Sequence, residues 1–112
     1  MIDQEQSAAA PAEVKQLAEL LQYQRASIAS RVLLKNKGGS VTLFAFDAGE
    51  GLSEHTAPFE ALVMATDGEA DIEIAGDNFR VRQGETIILP ANKPHAVKAV
   101  SRFKMLLIMI RA

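Results

Sequence analysis

Short apolar segments recur along most of this chain, and a turn signal breaks them every eight to twelve residues. That rhythm restricts the fold more than any other feature. In "EADIEIA", Ala70, Ile72 and Ile74 alternate with Glu69, Asp71 and Glu73. Such a period of two buries one face of a strand and wets the other. "SIASRVLL" and "SVTLFAF" flank the turn sequence "KNKGG", and "FEALVMAT" meets "EADIEIA" at Asp67-Gly68, a strong short-range hairpin signal. "AGDN" precedes "FRVR", and Gln83-Gly84 leads into "ETIILP". The loop "ANKP" then leads to "HAVKAV" and "RFKMLLIMI". Roughly eight short strands at this spacing predict an all-β sandwich or barrel.

The N-terminal part reads differently. Residues 1–10 are small and polar, and are expected to fray. In "PAEVKQLAELLQY", Val14, Leu17, Ala18 and Leu21 stand at helical spacing behind Pro11, which predicts one short amphipathic α-helix over 11–21. The 112 residues suit a single domain over 11–112. The last predicted strand is apolar on both sides, with Phe103, Met105, Leu107 and Met109 alternating with Leu106, Ile108 and Ile110. Such a strand lies either between two layers or against a second subunit.

Composition removes several chemistries. There is no cysteine, so thiol nucleophiles and thiolate metal ligands are absent. A net charge of −2 provides no electrostatic basis for a nucleic-acid partner. The N-terminus lacks the apolar stretch of a secretory signal, and "MLLIMI" is too short to cross a bilayer. A cytoplasmic protein with no membrane partner is expected.

Two histidines, His55 and His95, stand in a pattern. Gly49 is followed after five residues by His55, with Ala57, Ala61 and Gly68 beyond. Gly84 is followed after five residues by Pro90, with Asn92, His95 and Ala99 beyond. This resembles the two motifs of the cupin family, G-x5-H-x-H-x3-4-E-x6-G and G-x5-P-x-G-x2-H-x3-N. Ala57 and Ala61 stand in place of the second His and the Glu, Asn92 in place of a Gly, and Ala99 in place of the Asn. The resemblance implies a cupin-type jelly-roll barrel with a pocket inside and a tendency to form homodimers. It also implies a divalent metal held by three histidines and a carboxylate, of which this chain keeps only His55 and His95. Glu60 is a possible substitute carboxylate, although its parity opposes that of residues 55, 57 and 61, and Glu54 shares the problem.

Three functions follow. The first is a small-molecule-binding cupin, with His55 and His95 as polar groups in a pocket opened by Ala57 and Ala61. The second is a metal-dependent enzyme of dioxygenase or isomerase type, using His55 and His95 on a weakly held zinc, nickel, iron, manganese or copper ion. The third is a structural module whose interior is filled by its own side chains. Phe44, Phe46, Phe59, Met64, Met105 and Met109 are the candidate walls.

Overall fold

Alternation along each segment decides which residues share the interior. The computed structural model describes residues 12–111, so the segment expected to fray lies outside the described residues. Among them nine strands form: β1 (Ile28–Asn36), β2 (Gly39–Phe46), β3 (Gly51–His55), β4 (Glu60–Asp67), β5 (Glu69–Ile74), β6 (Asp77–Arg82), β7 (Thr86–Leu89), β8 (His95–Ala99) and β9 (Phe103–Ile110). They make two antiparallel sheets, one in the order β1-β2-β9-β4-β7 and the other β3-β8-β5-β6. The all-β jelly-roll class stands, but the two sheets remain separate rather than closing into one barrel.

The inner faces pack together. Ala61, Val63 and Ala65 of β4, Ala70 and Ile72 of β5, Val97 and Ala99 of β8, and Phe103 and Met105 of β9 are buried in one cluster. Phe46 stacks on Phe44 and lies tilted against Phe103, at centroid distances of 6.0 and 5.7 Å. Aromatic pairs at this separation add to the stabilisation from buried area.

Three sequence expectations change. The first concerns Asp67-Gly68, which closes no hairpin. β4 pairs with β7 and β9, and β5 with β6 and β8, so this dipeptide carries the chain from one sheet to the other. Gly68 has φ +71°, and its α-carbon lies close against the carbonyl of Arg102. The tight turn of this region is instead Ala75-Gly76 between β5 and β6, with φ of 51° and 91°, as a type I′ turn requires.

The second change concerns residues 11–21, which form no α-helix. Of that segment, Pro11 lies outside the described residues, and the rest contains a single 3-10 turn at Leu17–Glu19. Its carbonyls are taken by cations from the sheet beneath. Arg31 Nη1 donates to Leu20 O at 2.8 Å and Lys104 Nζ donates to Ala18 O at 3.1 Å. A helix this short is marginal alone, and these tertiary bonds outweigh its propensity. Tyr23 completes the attachment by donating to Asp67 beneath the cations of Lys104 and Arg102.

The third is β3, a ninth strand beyond the eight legible in the sequence. Gly51–His55 is exposed except at Leu52, so it carries almost no alternation to read. No helix among the described residues is long and apolar enough to cross a membrane.

Candidate functional site

β3 and β8 lie side by side in antiparallel register, with His55 opposite His95. His55 closes β3 and His95 opens β8, so the pair sits at the end of the sheet. The loop ahead of His95 is fixed from both sides. The amide of Asn92, a residue at φ 66°, donates to Ala57 O at 2.8 Å, and Ala75 N donates to Pro94 O at 2.8 Å.

The two rings meet edge to face, with centroids 4.3 Å apart and planes at 71°. Their Nε2 atoms are 3.0 Å apart. Each Nδ1 faces the backbone carbonyl two residues earlier, Ser53 O at 2.8 Å for His55 and Lys93 O at 3.2 Å for His95. A carbonyl only accepts, so each Nδ1 carries the hydrogen. Two lone pairs would then confront each other at Nε2, and one proton shared between the rings satisfies both. His95 is 8% exposed, whereas His55 is open to solvent. Burial pushes the His95 pKa below its ordinary 6.5, the bond to the Lys93 carbonyl opposes that, and charge on His55 reinforces it. His95 therefore takes up a proton less readily than a free imidazole.

Behind the imidazoles lies an enclosed cavity of about 50 Å³, walled by Ala57, Phe59, Ala61, Leu89, Met105 and Met109, among others. The sequence-predicted residues His55, His95, Ala57 and Ala61 therefore come together. Glu60 does not join them. It is exposed, on the opposite side of β4 from Ala61, and Glu54 is likewise exposed on β3. Of the candidate walls, Phe59, Met105 and Met109 line the cavity, Phe44 and Phe46 belong to the core, and Met64 is 40% exposed. The interior is as apolar as the two alanines suggest, but not wide, because Met105, Leu107 and Met109 of β9 fill the space. Sequence reasoning missed the carbonyls of Ser53 and Lys93, which orient both rings without any side-chain signal. It also missed Arg111, whose guanidinium lies 5.2 Å from the centroid of the Phe59 ring.

A resident metal needs about three protein donors with the right geometry. Two imidazoles converge here, with Nδ1 held as in many metal-ligating histidines. Alanine occupies both remaining ligand positions, and among the described residues no group of three or more His, Cys, Asp or Glu assembles. The donor set does not fit a tightly held divalent ion.

Two facing antiparallel sheets with an imidazole pair at one end of the interior define a jelly-roll domain. The chain belongs to the cupin family: the profile described as Cupin domain matches residues 42–111. Solved structures agree. A conserved protein of unknown function from Streptococcus pyogenes is 33% identical over 93% of this chain and 91% of that one, with a TM-score of 0.88. A cupin superfamily protein from Desulfitobacterium hafniense is 27% identical over 92% and 94%, with a TM-score of 0.86. A cupin 2 conserved barrel domain protein from Leptotrichia buccalis is 43% identical over 85% of this chain and 46% of that one, with a TM-score of 0.82. No curated protein matches.

Proposed function

We propose that this cupin domain binds a small organic acid, its carboxylate held by the His55–His95 pair and its short apolar part in the cavity behind. The observation that carries the reading is the 3.0 Å Nε2–Nε2 approach at the edge of an enclosed apolar space. A proton between the two Nε2 atoms makes the pair cationic, and a carboxylate that displaces one ring accepts a charge-assisted hydrogen bond from the other. Arg111, over the Phe59 wall, adds a second positive charge nearby. The cavity's 50 Å³ limits the enclosed part of the ligand to a few non-hydrogen atoms, since about 10–15 Å³ of such space holds one water.

A series of acids from acetate to hexanoate, titrated into labelled protein and followed through the histidine ring signals by NMR, tests this. Saturable shifts of both rings, strongest for the short acids and weakened at least about tenfold in His55→Ala and His95→Ala, are expected. No saturable shift with any acid refutes it. The pinned Nδ1 atoms favour a second reading, a metal-dependent enzyme. Nickel retained stoichiometrically against a chelator would support that reading instead. If neither acid nor metal binds, the interior serves only as core.

A further inference from the structure

A second pocket lies outside the interior, on the outer face of the five-stranded sheet. Phe103 and Met105 turn into the core, so Lys104 between them turns outward. It is nevertheless only 8% exposed, because the segment around Ala18–Tyr23 lies over it. Lys104 Nζ donates to Ala18 O at 3.1 Å and stands 5.0 Å from the centroid of the Tyr23 ring. An irregularity near the end of β4, between Ala65 and Asp67, sets Asp67 opposite Lys104 in the ladder. Between the segment and the sheet remains a half-open space of about 420 Å³, lined by Leu17, Ala18, Thr66, Asp67, Gln83 and Lys104. Small-molecule sites span roughly 300–1,000 Å³.

Two opposite charges line this space without pairing with each other. An ammonium has three N–H donors, and among the described residues only the Ala18 carbonyl accepts from Lys104. The Tyr23 hydroxyl donates to Oδ2 of Asp67, and among the described residues nothing donates to Oδ1. Tyr23 thus touches both charges, its ring on the ammonium and its hydroxyl on the carboxylate. Burial, then the bond to Asp67 and its charge, push the Tyr23 pKa above its ordinary 10.0, so the hydroxyl stays a donor at neutral pH. A lone anion entering here would be repelled by Asp67, and a lone cation by Lys104. A zwitterion satisfies both through two charge-assisted hydrogen bonds, and Leu17 offers an apolar wall beside them.

We infer that this pocket binds a small aliphatic α-amino acid, with its carboxylate on Lys104, its ammonium on Asp67 and its side chain against Leu17. The site is separate from the imidazole pair. Met105, next to Lys104 on β9, lines the interior cavity instead, so the sheet itself divides the two.

Tyr23 is the only tyrosine and the chain has no tryptophan, so tyrosine fluorescence reads this pocket alone. The full chain is titrated with glycine, alanine, valine and leucine. A saturable change is expected, with a Kd at or below about 10 mM and tighter binding of valine or leucine than of glycine. Acetate and ethylamine carry one charge each. They are expected to bind at least about tenfold more weakly, since each forgoes one charge-assisted bond. Asp67→Asn keeps an oxygen for Tyr23 to donate to. It is expected to fold normally by circular dichroism and to lose at least about tenfold in affinity. The inference is overturned by the absence of a saturable change with all four amino acids. A response to acetate or ethylamine as strong as that to the amino acids also overturns it, as does an Asp67→Asn variant that binds as tightly as wild type. The comparison with acetate and ethylamine uses only the wild-type chain, so it decides the matter even where the substitution loosens the segment.

Discussion

Replacing Gly68 by alanine strikes the point where the chain passes from one sheet to the other. Its φ of +71° costs an L-residue about 1–2 kcal/mol. An added Cβ would also press into the carbonyl of Arg102 and come within 2.9 Å of Ser101 Oγ. That hydroxyl oxygen accepts from the amide of Glu69 at 3.1 Å, and losing the bond costs about 1 kcal/mol. Shifting the Arg102 carbonyl disturbs the start of β9, which is held between β2 and β4, and overpacking of this kind costs about 1–3 kcal/mol. The total is about 3–6 kcal/mol. Gly84→Ala is the control: its φ is +88°, but nothing lies within 4 Å of the added carbon, so only the backbone cost of about 1–2 kcal/mol applies. Urea denaturation at unchanged slope measures both. Gly68→Ala should lose at least about 2 kcal/mol more than Gly84→Ala, or roughly 10 °C in Tm. Equal losses in the two variants would refute the close backbone approach at the sheet crossing.

Stability should fall on the acid side of neutrality. The folded chain holds the His95 pKa below its ordinary 6.5, so the unfolded chain takes up that proton first. The contribution is fully present above about pH 6.5 and is lost as pH falls through the folded value. Denaturation midpoints between pH 7 and 5 measure the slope, and His95→Gln should flatten it; an unchanged slope would remove His95 as its source. Ala57→His, placing a third imidazole on the same cavity wall, should raise nickel affinity at least about tenfold in calorimetry. No gain would mean that position 57 does not converge with the pair.

Much of this architecture is readable along the chain. Period-two alternation in 60–67 and 69–74 reports which face is buried, and glycines at positive φ mark chain reversals. The spacing of His55 and His95 within the two motifs pointed to a common interior, because each motif ties its histidine to a strand end by a fixed number of residues. β3 escaped because an exposed strand has no alternation to detect, although it presents His55. The 11–21 segment misled because helical spacing says nothing of carbonyls captured by Arg31 and Lys104 from distant strands.

Local order, then, is determined by the sequence through neighbours a few residues apart: strand parity, turn chemistry, and the absence of a third imidazole. Partner choice among strands and the volume left inside were decided only in three dimensions. Asp67-Gly68 reads as a hairpin until β4 finds β9 and β5 finds β8. Two alanines promise a broad pocket until the side chains of β9 occupy it. Both outcomes depend on packing between residues far apart in the chain, where steric fit outweighs local preference.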